Sequence, residues 1–157
     1  MTRVREVVDR VLETTLAVLM ASMVLLVLWQ VFTRFVLRDP SSVTEELVRF
    51  GLIWVSLLGA AYGFGKKHHL SMDLLARRLG GRGRLGLEIF IQMSVIAFAL
   101  LVLVVGGSRL VDLTLALGQT SAALQIKRGY VYLALPFSGL VVMFYAALSL
   151  RQSLHRS

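Results

Sequence analysis

The chain has 157 residues, 57% of them hydrophobic and only 17% charged, with a mean hydropathy of +0.75. A soluble domain carries about 45–50% apolar and about 25% charged residues, so a water-soluble globular fold is excluded, and the length leaves no room for a second domain. The absence of cysteine excludes disulfides, thiolate metal sites and thiol redox chemistry, and the net charge of +8 sits in clusters between apolar runs, a pattern of membrane loops and not of nucleic-acid binding.

Four apolar runs approach the 17–25 residues that cross a bilayer as a helix. The expected fold is therefore an all-α integral membrane protein with four transmembrane helices, about 15–35, 47–65, 85–107 and 130–150, joined to short interfacial helices. Residues 3–13 (RVREVVDRVLE) read as one such interfacial start, with Val4, Val7, Val8 and Val11 on one face and Glu6 and Arg10 spaced i,i+4. Acidic Glu6, Asp9 and Glu13 among the arginines speak against a cleavable signal peptide. The first span ends in an aromatic belt of Trp29, Phe32 and Phe35, with Arg34 and Arg38, and Gln30 suits headgroup depth or a hydrogen bond to a neighbouring helix. The short connection 37–43 makes the first two helices antiparallel neighbours.

The second span has a charged entrance and a basic exit. Pro40 suits a turn or a helix start. Ser42 stands three residues before Glu45, the spacing of a capping box. Arg49 lies inside the apolar run, where a guanidinium is costly unless it snorkels or pairs; Glu45 and Glu46, one turn away, are the expected partners. Gly59 and Gly63 have G-x-x-x-G spacing, with Ser56 one turn earlier, a face that lets another helix approach closely. One reading is a well-capped membrane helix; the other is a helix built to dock on a larger membrane partner.

The loop that follows is the most basic, with Lys66, Lys67, Arg77, Arg78, Arg82 and Arg84, and its leucines suit a short interfacial helix broken by Gly80, Gly81 and Gly83. In the third span Glu88 and Gln92 share a face near the start. Residues 108–129 are weakly amphipathic and read as an interfacial or re-entrant excursion. Tyr130 and Tyr132 mark the entry to the fourth span, with Pro136 in its second turn. No internal repeat is visible, so an inverted-repeat transporter core is not supported. Eleven Lys and Arg fall on the N-terminal segment, the 2–3 loop and the C-terminus, against five on the opposite side. The positive-inside rule then puts both termini in the cytoplasm and residues 39–46 outside.

The residues Ser42, Thr44, Glu45, Glu46, Leu47 and Arg49, then Trp54, Gly59, Ala60 and Ala61, then His69, Asp73 and Leu74, stand in an order and spacing that resembles the small membrane subunit of tripartite ATP-independent periplasmic (TRAP) transporters. The run from Tyr132 to Gly139, with its Pro136, is similar to that family too. The resemblance implies a three-part importer of the inner membrane, with a large membrane subunit carrying the sodium and substrate sites and a periplasmic substrate-binding protein. The small subunit would brace the large one and help dock the binding protein for sodium-coupled organic-acid uptake. Glu45, Glu46 and Arg49 would anchor the outer end of the second helix, Trp54, Gly59 and Gly63 would lie on or near packing faces, and His69 and Asp73 would order the cytoplasmic exit.

Little else points to chemistry. His68 and His69 are adjacent, and no histidine lies in a span to bind haem from both sides, so no cofactor or metal is expected. His69 and Asp73 suit a local hydrogen bond at the end of a helix, or a metal or proton role. Glu13 leaves open a stand-alone proton-coupled exporter of the four-helix multidrug type, although its charged neighbours suit the interface. No ATP-binding loop is present. The spans are almost wholly apolar at mid-depth, and so poor at replacing the hydration of an anion or sodium.

Overall fold

In the computed structural model the backbone is described for residues 2–39, 41–76 and 81–155, and side chains for residues 3–39, 41–66 and 86–151. The described residues are helical apart from short connections, with no strand among them and four helical stretches long and apolar enough to cross a membrane: Arg3–Leu37, Ser42–Lys66, Gly86–Ala116 and Gly129–Arg151. The all-α membrane architecture is therefore as expected, while the element boundaries differ in instructive ways.

Helix α1 runs from Thr2 to Phe32 and continues as a π-helical segment, Thr33–Leu37. The N-terminal amphipathic segment is thus not a separate interfacial helix. No glycine or proline interrupts residues 2–32, so once the apolar span nucleates the helix nothing stops its growth toward the N-terminus. The wide π turn ends where Arg38 adopts a left-handed conformation (φ 55°). The Asp39 N–H closes back on the Thr33 carbonyl at 3.2 Å, and the buried Thr33 hydroxyl donates to the Gln30 carbonyl at 3.0 Å.

Helix α2 spans Ser42–Ala76, well beyond the apolar run. Hydropathy marks where hydrocarbon ends and says nothing about where helical hydrogen bonding ends. Gly81 and Gly83, expected to break a short interfacial helix, lie in the opening turn of helix α3 (Gly81–Phe98). Helix α3 passes through a second π segment, Ala99–Gly106, into α4 (Gly107–Ala116). Residues 107–116 therefore prolong the third span, and only 117–128 leave the helix. Two short helical pieces complete the chain, α5 (Gly129–Tyr132) and α6 (Ala134–His155).

The break between α5 and α6 follows from Pro136. Its nitrogen has no hydrogen to offer the Tyr132 carbonyl, and its ring would collide with that carbonyl in a continuous helix. Pro136 thus occupies the first turn of α6, earlier than the sequence suggested, where a missing N–H costs nothing.

The chain packs as two units: Met1–Gly59 with Leu110–Ala134, and Ala60–Arg109 with Leu135–Ser157. In the first, Gly51 lies against Met23 and Gly59 against Leu16, so α1 and the front of α2 run antiparallel. Leu12, Leu58, Val111 and Val131 form its buried apolar core. In the second unit, α6 crosses the third span closely. Gly139 faces Leu103 and the Ala99 carbonyl, and Gly107 faces Leu135 and Pro136. Ala61, Ala99, Ala146, Tyr145, Ser138 and fully buried Gln92 fill its interior. Small side chains at these crossings let the backbones approach where lipid offers no hydrophobic drive.

Much of the apolar surface is left uncovered. Only 6% of the most apolar window of the first span is buried within the chain, and no more than 28% of any other. Leu25, Phe90 and Leu101 are among the large side chains that remain outward.

Candidate functional site

The polar features of the first unit gather at the front of α2. The helix begins at Ser42, so the preceding Ser41 holds the capping position. The Ser41 carbonyl accepts from the Thr44 hydroxyl at 3.0 Å and from the Glu45 N–H at 3.4 Å. The Glu45 carboxylate turns forward, away from the reciprocal contact of a capping box, and accepts from Arg49 Nη2 at 3.1 Å. Both side chains are about two-thirds exposed (66% for Arg49, 68% for Glu45), so this i,i+4 pair shields charge more than it adds stability.

Glu46 is not the second partner of Arg49. Its Oε1 accepts the Ala122 N–H at 2.8 Å, and its Oε2 accepts those of Ala123 at 3.1 Å and Leu124 at 2.9 Å. Three successive amides in a turn converge on one carboxylate, the arrangement of a backbone anion nest. The turn is the tip of a hairpin between α4 and α5. Thr120 bridges Lys127, the Ser121 N–H donates to the Ile126 carbonyl at 2.9 Å, and the Arg128 N–H donates to the Gln119 carbonyl at 2.9 Å. Left-handed Gly118 (φ 61°) and Gln125 (φ 57°) let the chain reverse at either side. Glu46 thus ties α2 to a loop 76–78 residues away.

Beside this clasp lies a cavity of about 130 Å³ lined by Glu46, Arg49, Phe50, Ile53, Arg128, Val131 and Tyr132. Its charged and apolar lining comes from the front of α2, from α5 and from Arg128 just before α5.

The other expected site residues scatter along the chain. Trp54 and Gly59 are half-buried in the first unit. A Cβ on Gly59 would only touch Leu16 at 4.0 Å, and one on Gly63 would meet nothing within 4 Å. At Gly63 the G-x-x-x-G face is thus not a packing face among the described residues. The side chains of His69 and Asp73, and Pro40, lie outside the described residues. Glu13 is exposed on α1. Among the described residues no group of three or more His, Asp or Glu could hold a metal.

The family model for the DctQ component of tripartite ATP-independent periplasmic transporters matches residues 23–156. The chain belongs to that family of TRAP small permease subunits. It is 28% identical to the sialic acid TRAP transporter small permease protein SiaQ of Vibrio cholerae over 102 residues. That match spans 65% of this chain and 59% of the Vibrio protein. A putative TRAP transporter small permease protein of Haemophilus influenzae is 27% identical over 135 residues, covering 86% of this chain and 82% of that one. The family match takes in the α2 entrance, the clasped hairpin and Pro136 of this TRAP small permease.

Proposed function

We propose that this TRAP small permease braces a large transport subunit in the bacterial inner membrane and helps a periplasmic binding protein dock, in the service of sodium-coupled organic-acid uptake. The observation that carries the reading is the uncovered apolar surface. Spans with so little of their length buried within the chain must be covered by lipid or by another helical protein. Gly63, where a Cβ would meet nothing within 4 Å, suits the close approach of a partner helix.

The excess of Lys and Arg at the termini and in the 2–3 loop supports an orientation with both termini in the cytoplasm. On that reading the α2 entrance and the hairpin face the periplasm. Glu46 holds the hairpin in one shape ahead of any encounter, which lowers the ordering cost of docking. The Glu45–Arg49 pair keeps a guanidinium solvated at the end of the span, and Trp54 and Gly59 sit near the helix-packing faces of the same helix. His69 and Asp73 order the helix where it leaves the membrane on the cytoplasmic side. The Vibrio relative is named for sialic acid, an acid sugar, and a carboxylate-bearing solute is the substrate class proposed here.

The test is affinity purification of the tagged full chain from its native membrane in mild detergent. A large polytopic membrane protein is expected to co-purify in fixed ratio. Recovery of this chain alone, stable and monodisperse, would remove the basis for a bracing role.

A further inference from the structure

The cavity beside the clasp shares Glu46 and Arg49 with the α2 entrance, and its chemistry is specific. We infer that it is a binding site for a phospholipid headgroup, with the phosphodiester held between Arg49 and Arg128 and the upper acyl chain lying along Phe50, Ile53 and Val131.

Four observations converge on a phosphodiester. Arg49 and Arg128 line the same space of about 130 Å³, together with Glu46, and that volume is enough for a tetrahedral phosphate. Arg49 spends Nη2 on Glu45, and its other donors have no acceptor among the described residues. Arg128 uses its backbone N–H for the Gln119 carbonyl, but its guanidinium pairs with no acid among the described residues. Glu46, the acid in the lining, has both oxygens taken up by three amides, so it is already committed elsewhere. Planar guanidinium forks with donors to spare are suited to bidentate phosphate contacts.

The place in the fold argues for a lipid over a dissolved anion. Two spans begin here, Ser42–Lys66 and Gly129–Arg151. Arg128 immediately precedes the second, and Arg49 lies two turns into the first, about 10 Å along the axis at ~1.5 Å per residue. Both cations lie toward the outer ends of their spans, and half-buried Tyr132, which lines the same cavity, is a residue type that settles among headgroups. Below the cations the wall is apolar: Val131 is buried, and Phe50 and Ile53 are half-buried. A free phosphate would gain nothing from that floor, whereas an acyl chain would bury against it.

The experiment measures lipid binding to the delipidated full chain in detergent, by native mass spectrometry and by thermal shift. The probes are dioleoyl phosphatidylglycerol and, separately, inorganic phosphate. The wild type is expected to retain and rebind one phosphatidylglycerol. R49Q and R128Q are each expected to bind it roughly tenfold more weakly, equivalent to about 1.4 kcal/mol. R109Q, which changes an exposed arginine outside the cavity, is expected to match the wild type. Equal melting temperatures without lipid would show that the variants fold. Unchanged lipid binding in the R49Q/R128Q double variant would overturn the proposal. So would equal protection by inorganic phosphate, which would make this a simple anion site. Loss of a membrane partner with lipid binding intact would also overturn it, assigning the two arginines to a protein carboxylate.

Discussion

Replacing Gly139 by alanine tests the helix crossing that organises the second unit. A Cβ at this position would lie 2.7 Å from Leu103 Cβ and 3.3 Å from the Ala99 carbonyl oxygen. Carbon atoms rest at about 3.5–4.0 Å, so the two helices must part by about 1 Å. Leu103 cannot escape by changing rotamer, because its Cβ moves only with the backbone. Overpacking of this kind costs about 1–3 kcal/mol. Alanine also gains about 0.8–1 kcal/mol over glycine in helix propensity, which partly masks the clash. Gly63→Ala supplies the reference, since it carries the same propensity gain and meets nothing within 4 Å. The difference between the two variants isolates the clash, and it is expected to be about 1–3 kcal/mol against Gly139→Ala. Reversible unfolding of the full chain in a single detergent, followed by circular dichroism, reads that difference. Equal stability of the two variants would refute the close crossing.

Three further outcomes follow from the geometry. Glu46→Gln removes the charge on which the Ala122, Ala123 and Leu124 amides converge; hydrogen exchange at those three amides should accelerate at least tenfold, with α1 and α6 unaffected. Arg49→Ala breaks an exposed pair worth less than about 1 kcal/mol, so the melting temperature should barely move while assembly or uptake falls; normal assembly with normal uptake would count against its proposed role. Gly63→Leu should leave the isolated chain as stable as wild type and reduce recovery of the large membrane subunit; full recovery would place the partner on another face.

The existence and type of the four spans were legible because hydropathy over 20 residues is a strong signal. Their ends were not. Nothing between Thr2 and Phe32 breaks a helix, so α1 absorbs the amphipathic segment, and α2 likewise runs on to Ala76. The Glu45–Arg49 contact was visible in its i,i+4 spacing. The clasp was not, because its donors are backbone amides of an alanine-alanine-leucine turn, and no side chain there announces a partner 76 residues upstream. Gly59 and Gly63 attracted notice through their spacing. The close approaches at Gly107, Gly129 and Gly139 instead depend on which helices cross, and a single sequence does not encode that locally.

The account rests on the chain serving a transporter without conducting the solute itself. The most direct measurement is sodium-driven uptake of a radiolabelled organic acid into proteoliposomes, comparing this chain alone, the large subunit alone, and both together with the binding protein. Uptake is expected only when all parts are present, with the chain alone indistinguishable from empty vesicles. Gradient-driven flux through vesicles holding this polypeptide and nothing else would contradict it.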